Sequence, residues 1–349
     1  MARLPIPLVV LGRAQAIVNP LVTQLERGGE FMVLGRAADS AVATRMCRDR
    51  RPDCVLLYVE ALAQIDLLKA VLALAPLPVV ALVRTPSLGV QVIAAGAVES
   101  LPLDADGSTV ATALRLMAGV TIVGRREAQD PTPRPALAVR APLKGAPRER
   151  PLVVIGTSTG GPPALAQLLG ALAADFAAPV VLVQHMPDDY HPQFAHWLGA
   201  QTRLPVRLAQ SGTSVENGTI YLAPGGSNLV VGQGGYLLTR PRSARGSCPS
   251  VDVLFESAAQ LQGFRVCGVV LTGMGSDGAR GLKSVRDAGG FTLVQDRASS
   301  AVFGMPAEAL KLGAAELALS PPALAEQLRW WVAELAPPGE EPRVSRRER

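Results

Sequence analysis

Short runs of β-branched and other apolar residues alternate with stretches of helical periodicity along this chain, and this alternation constrains the fold more than any other feature of the sequence. Strands joined by helices need crossover connections, which give a parallel sheet covered on both faces. Between residues 8 and 118 five such units predict a flavodoxin-like domain. Helices are predicted at about 14–28, 40–48, 61–75, 87–95 and 107–118. The predicted strands are Leu8–Leu11, Met32–Gly35, Cys54–Tyr58, Val79–Val83 and Val98–Leu101.

A second α/β domain is predicted from Leu152 onward. Helices are expected after each of its first two strands, at Val251–Gln262, at Gly278–Ala288 and after Ser320. Its predicted strands are Leu152–Gly156, Val180–His185, Val266–Thr272 and Phe291–Gln295. Glycine pairs among three further apolar segments favour a hairpin-rich insert. These segments are Thr219–Ala223, Leu229–Val231 and Tyr236–Thr239.

The length of 349 residues favours two domains. Prolines spread among Arg, Ala and Glu predict a linker at 121–150 between a domain at 1–120 and a domain at 151–336. Residues 337–349 are expected to be a disordered tail. The fold class is therefore α/β, with two doubly wound parallel-sheet domains, the first flavodoxin-like and the second Rossmann-like.

Composition excludes several classes of function. Aromatic residues make up 4% of the chain, which argues against stacking platforms for bases, and the net charge of +5 comes largely from tail and linker arginines. We therefore expect no nucleic-acid partner. Four cysteines without a C-x-x-C pair indicate reduced thiols in the cytoplasm rather than a disulfide frame or a zinc site. No uncharged apolar stretch reaches the roughly 20 residues of a membrane span, so no membrane insertion is expected.

Residues 156–160 fit the G-x-S-x-G pattern between a predicted strand and a predicted helix. Such a turn lifts the serine, Ser158, above the sheet edge, beside backbone N–H groups at a helix N-terminus. The alternative is a glycine-rich anion cradle, because a serine needs partners to act as a nucleophile.

His185 ends the next predicted strand, so its imidazole is expected beside Ser158 at the edge where open α/β sheets form their sites. His191 and His196 fall on the following helix, where a structural role is more typical. A carboxylate that orients the imidazole could come from Asp277 or Asp296, which both follow strands; three neighbouring glycines favour Asp277. No metal-ligand spacing is present, so no metal is expected.

Six further motifs occur in order along the second predicted domain: Ile155–Gly161, Val183–Pro187, Tyr221–Gly226, Pro249–Phe255, Leu271–Ala279 and Phe303–Pro306. By these motifs, residues 152–320 closely resemble the catalytic domain of the CheB family of chemotaxis protein-glutamate methylesterases. The resemblance implies that Ser158 is the nucleophile, His185 the base and Asp277 its orienting carboxylate. It further implies that Thr159 flanks the nucleophile and that the Met274 backbone N–H serves the oxyanion hole. Asn228 departs from the family, which commonly has a histidine there.

Members of the family usually carry a receiver domain before the catalytic domain. Residues 8–118 look like a receiver domain that lacks the residues for Mg²⁺ binding and phosphorylation. A receiver has an acidic pair after its first strand, a phosphoacceptor Asp at the end of its third, a hydroxyl after its fourth and a Lys after its fifth. The corresponding positions here are Leu11 with Gly12, Tyr58, Val83 and Leu103. Without carboxylates at these positions we expect neither a Mg²⁺ site nor a phosphoacceptor.

The resemblance implies a cytoplasmic serine methylesterase that acts on glutamyl methyl esters in the cytoplasmic helices of methyl-accepting chemoreceptors, with glutaminyl deamidation as a second activity. No cofactor is required. A chemosensory kinase or adaptor is a further expected partner. Two alternatives are a catalytically silent signalling adaptor that binds chemoreceptors and a general esterase or amidase for small molecules.

Overall fold

The computed structural model describes residues 4–13, 15–74, 76–118, 149–242 and 246–335. They form two parallel sheets covered by helices, so the predicted α/β class is confirmed. Nearly all of the predicted linker and all of the predicted tail lie outside the described residues. Among the described helices, none combines the length and the apolar character that a membrane span requires.

The N-terminal unit is a five-stranded parallel sheet in the order β2-β1-β3-β4-β5, the flavodoxin-like order. All five predicted strands and all five predicted helices are present, with ends shifted by no more than two residues. The strands are β1 Ile6–Leu11, β2 Phe31–Ala37, β3 Cys54–Val59, β4 Val79–Val83 and β5 Glu99–Pro102. The helices are α1 Gln15–Arg27, α2 Ser40–Arg50, α3 Ala63–Leu74, α4 Pro86–Ala94 and α5 Gly107–Ala118.

The C-terminal unit contains a seven-stranded parallel sheet in the order β14-β13-β12-β6-β7-β9-β8. The strands of this sheet are β6 Arg150–Thr157, β7 Val180–Gln184, β8 Val206–Leu208, β9 Ile220–Leu222, β12 Phe264–Val270, β13 Phe291–Gln295 and β14 Leu317–Leu319. The helices are α6 Gly161–Gly170, α7 His191–Gly199, α8 Val251–Ala259, α9 Ala279–Asp287, α10 Met305–Lys311 and α11 Pro321–Leu335. The chain grows outward from β6 on one side and returns to pair β12 on its other side. Crevices at such a switch point are where open α/β sheets form sites.

The predicted hairpin-rich insert is only partly correct. Strands β10 (Ser227–Gly232) and β11 (Tyr236–Pro241) do form an antiparallel hairpin. The segment before them does not, because β9 pairs in parallel with β7 and β8 inside the main sheet. Strands β8 and β14 and helix α10 were not predicted, because segments of three to seven residues carry too little periodicity.

The two units share a continuous apolar core on one side of the sheets. Helix α4 packs against α6, α7 and the short 3₁₀ turn Asp188–Tyr190. The buried ring of Tyr190 lies over Gly89, and a Cβ added to this glycine would come within 2.2 Å of it. The Tyr190 hydroxyl also lies 3.2 Å from the Ser100 hydroxyl. Tyr190 therefore packs into the N-terminal unit against Gly89 and Ser100.

Candidate active site

Ser158 stands where β6 ends, three residues before α6 begins. Its backbone N–H donates to the Thr272 carbonyl at 3.1 Å, and its carbonyl accepts from the Gly161 N–H at 2.9 Å. Gly160 has φ +77°, and a Cβ there would lie 2.4 Å from Ala301. The turn therefore requires glycine, and it holds the serine at the carboxyl edge of the sheet.

His185 directly follows β7, and its N–H donates to the Thr157 carbonyl at 3.0 Å. The buried Gln184 side chain donates to the carbonyls of both Ser158, at 2.9 Å, and His185, at 2.8 Å. Because adjacent strands lie about 4.8 Å apart, this register places His185 beside Ser158 at the carboxyl edge of the sheet. In the described part of the chain the Ser158 hydroxyl makes no hydrogen bond.

Asp277 pairs with His185, with 2.9 Å between Oδ2 and the imidazole Nε2. The Ser250 hydroxyl and the backbone N–H groups of Val251 and Asp252 also donate to this carboxylate, each at 2.9 Å. Burial acts to raise the pKa of Asp277, but the hydrogen bonds from His185 and the two N–H groups outweigh it and lower that pKa below its usual value. The carboxylate is therefore ionised beside the imidazole.

The other acid and the other histidines lie outside this arrangement. Asp296 accepts the Ser299 N–H at 2.9 Å and the Ser299 hydroxyl at 2.6 Å, and so anchors its own loop. His191 is buried at the start of α7, where its ring nitrogen Nδ1 donates to the Asp188 carbonyl at 3.2 Å. His196 is exposed on the same helix. The structure brings together Ser158, His185 and Asp277. Asp296 and the other two histidines lie outside this site.

Two backbone N–H groups next to Ser158 are unused by any hydrogen bond within the described ranges, those of Thr159 and Met274. A Cβ added to Gly273 would lie 2.7 Å from the Ser158 Cβ, so the loop after β12 passes directly over the serine. The Gly273 carbonyl accepts from the N–H groups of Gly304, at 3.0 Å, and Met305, at 2.9 Å, which fixes that loop. Unpaired donors in such a place can bind an anionic oxygen.

No group of three or more His, Cys, Asp or Glu side chains that could hold a metal occurs in the residues that the structure describes. In the N-terminal unit, Tyr58 is 1% exposed in β3 and its hydroxyl has no partner among the described residues. Gly12 has φ +120°, and a Cβ there would lie 2.8 Å from both the Cβ and the carbonyl oxygen of Tyr58. The nearest acid past the end of β3, Glu60, pairs with Arg84 at 2.6 Å. Tyr58 therefore lies in an apolar layer of the sheet, with the Glu60–Arg84 ion pair beyond the end of β3.

Sequence reasoning missed Gln184 and the residues that hold Asp277. Ser250 was detectable as a helix-capping serine, but its contact with a residue 27 positions away was not. Asn228 is 4% exposed, and its side-chain oxygen accepts the Ser250 N–H at 2.8 Å. Asn228, which departs from the family pattern, thus contacts Ser250, and Ser250 in turn donates a hydrogen bond to Asp277.

The CheB methylesterase family model matches residues 153–328, and the chain is 39% identical over 304 residues to a protein-glutamate methylesterase/protein-glutamine glutaminase 2 of Anaeromyxobacter dehalogenans (strain 2CP-C). The chain belongs to the CheB methylesterase family. The match to that relative covers 83% of this chain and 86% of the relative. Protein-glutamate methylesterase FrzG of Myxococcus xanthus is 40% identical over 80% of this chain and 85% of its own.

The crystal structure of the Thermotoga maritima CheB methylesterase catalytic domain is also similar to this chain. It is 34% identical, with a TM-score of 0.49, and the match covers 52% of this chain and 98% of that domain. The resemblance identified from the sequence motifs is confirmed by the family match.

Proposed function

We propose that this CheB family member is a serine hydrolase that removes methyl esters from glutamate side chains of methyl-accepting chemoreceptors. The observation that carries the proposal is the Asp277–His185 pair beside Ser158 at the switch point of the sheet. The names of the relatives, which are protein-glutamate methylesterases and protein-glutamine glutaminases, support the same substrate chemistry and glutaminyl deamidation as a second activity.

The reaction begins when the Ser158 oxygen attacks the ester carbonyl and His185 takes the hydroxyl proton. The carbonyl oxygen becomes anionic and binds the Met274 N–H, while Thr159 flanks the nucleophile. When the bond to the methoxy oxygen breaks, His185 returns the proton and methanol leaves. Water then attacks the acyl-serine with His185 as base, which releases the glutamate carboxylate and restores the serine.

Asp277 supports this cycle because it stays ionised at neutral pH. Its negative charge stabilises the imidazolium that forms when His185 holds the serine proton, and its hydrogen bond fixes the ring orientation. None of these steps requires a cofactor.

The N-terminal unit is proposed to be a receiver-like domain that does not accept phosphate, with domain boundaries at residues 1–120 and 151–336. Tyr58 occupies the phosphoacceptor position in this proposal, and its buried apolar setting supports that assignment. Chemoreceptor helices are the proposed partners of the C-terminal domain. A chemosensory kinase or adaptor is the proposed partner of the receiver-like domain.

Substitution Ser158→Ala tests the proposal and its alternative, a silent adaptor. Loss of a triad serine typically costs about 10⁶ in kcat, so release of methanol from receptors carrying radiolabelled methyl esters is expected to fall to background. A full rate of methanol release by the Ser158→Ala protein would refute the mechanism. Receptor binding without any methanol release by the wild-type protein would favour the adaptor.

A further inference from the structure

Two carboxylates, that of the buried Asp252 and that of the half-buried Asp277, cap the starts of helices α8 and α9 reciprocally. Asp277 lies two residues before α9, yet its carboxylate accepts N–H groups at the start of α8, from Val251 and Asp252. Asp252 lies in the first turn of α8, yet its carboxylate accepts N–H groups at the start of α9. The donors are Gly278 at 2.9 Å and Gly281 at 2.8 Å, both to Oδ1. Each aspartate therefore caps the helix of the other.

This reciprocal capping depends on a close approach of helices α8 and α9. A Cβ added to Gly281 would lie 2.9 Å from the Asp252 Cα and from the Asp252 carbonyl oxygen. Asp252 is 6% exposed, and its second oxygen accepts the Arg280 Nε at 3.1 Å. The Arg280 side chain itself is 76% exposed, so this cation lies on the solvent side of the Asp252 carboxylate.

Asp252 touches neither Ser158 nor His185 through any hydrogen bond in the described residues, but it holds Asp277 in two ways. Its backbone N–H donates to the Asp277 Oδ1, and its carboxylate binds the N–H of Gly278, the next residue along the chain. The Asp277 carboxylate is thus fixed directly, and the backbone that carries it is fixed as well.

We infer that Asp252 is a positioning residue for the hydrolase reaction and acts through Asp277. The inference rests on the proposed triad, in which Asp277 orients His185. A displacement of about 1 Å in a catalytic group can cost about 10²-fold in rate, so the carboxylate at Asp252 matters although it is remote from the ester.

The test compares kcat and KM for methanol release in three variants. Asp252→Ala leaves the Gly278 and Gly281 N–H groups without an acceptor, and kcat is expected to fall about 10²-fold with KM unchanged. Asp252→Asn keeps an oxygen that can accept both N–H groups and is expected to restore kcat to within about fivefold of wild type. Arg280→Ala removes only the exposed partner and is expected to retain wild-type kcat.

Asp106→Ala is the matched control, because Asp106 caps α5 in the other unit through the N–H groups of Ser108 and Thr109. It is expected to lower the midpoint of thermal unfolding without lowering kcat. A wild-type kcat for Asp252→Ala, with only the midpoint lowered as in the control, would make Asp252 merely structural and overturn the inference.

A double-variant cycle decides whether Asp252 acts through Asp277. In the Asp277→Asn background, Asp252→Ala is expected to cost less than about threefold further in kcat, because the group that it positions is already altered. A full additional 10²-fold loss would overturn the inference and leave the triad intact. A wild-type kcat for Asp277→Asn alone would overturn the triad and the inference together. Should Asp252→Ala not fold, Asp252→Glu serves the same cycle, because it keeps the charge and shifts the acceptor by one methylene.

Discussion

At the residue scale, Asp277 holds a charge in a half-buried position because its carboxylate accepts four hydrogen bonds. Its lowered pKa in the folded state means that the ionised form stabilises the fold above the unfolded pKa of about 4. That stabilisation is lost as the pH falls through the folded pKa.

We therefore expect Asp277→Asn to lower the free energy of unfolding at pH 7 and the difference from wild type to shrink below about pH 4. Urea unfolding at several pH values measures it. Asp175→Asn, at an exposed carboxylate without a hydrogen bond in the described residues, should show no such trend. A difference for Asp277→Asn that stays constant down to pH 3 would contradict an ionised Asp277.

A second prediction separates the two candidate acids. Asp277→Asn is expected to lower kcat by about 10⁴, because the imidazole loses its orienting charge. Asp296→Asn should instead lower stability by about 0.5–2 kcal/mol, the usual value of a capping contact, and leave kcat nearly unchanged. Methanol-release kinetics and thermal melts of both variants provide the comparison. Similar losses of kcat in two stable proteins would show that the assignment of Asp277 is wrong.

At the element scale, the sequence predicts what local periodicity encodes. The N-terminal strands and helices were all predicted, because four to thirteen residues of strand or helix pattern recur in regular alternation. The three-residue strands β8 and β14 were not. Strand β9 was found but paired wrongly, because its partners β7 and β8 are set by tertiary packing rather than by the glycines that follow it.

In the candidate site, too, the residues with a local sequence signal were predicted and those without one were not. Ser158, His185 and Asp277 were predicted because each follows a strand, and parallel strands end at one edge. Asp252 was not, because its contacts with Gly278 and Gly281 cross 26 and 29 residues and depend on how α8 meets α9. Residues that hold a site from a second helix leave little local signal in one sequence.

The contact of α4 with Tyr190 gives a prediction at this scale. Gly89→Val places side-chain atoms where the Tyr190 ring lies, and we expect a loss of about 1–3 kcal/mol in the free energy of unfolding. Tyr190→Ala removes the ring, so the double variant should lose less than the sum of the two single losses. Denaturant unfolding of the three proteins measures the coupling. Fully additive losses would mean that the Tyr190 ring and residue 89 are not in contact.

At the scale of the whole molecule, one apolar core runs through both units. In the N-terminal sheet, Leu11 ends β1, Tyr58 lies at the end of β3, and the acid that follows β3, Glu60, pairs with Arg84. We expect acetyl phosphate with Mg²⁺ to leave both the intact mass and the rate of methanol release unchanged. Mass spectrometry and kinetics on the full chain check this. A phosphate adduct on the N-terminal unit together with faster turnover would contradict the proposed loss of receiver chemistry.

The contact between Gly12 and Tyr58 limits which substitutions could build a Mg²⁺ site at this edge of the sheet. An aspartate at position 58 would stand in the apolar layer that Tyr58 occupies, and the nearest acid past β3, Glu60, is already paired with Arg84. A second acid at position 12 meets a separate obstacle, because the carbonyl oxygen of residue 58 stands 2.8 Å from its Cβ whatever the side chain there. The positive φ of Gly12 disfavours any other residue as well. Two carboxylates at positions 12 and 58 therefore need two substitutions and a shift of the backbone, so no single substitution builds an acidic pair at this edge.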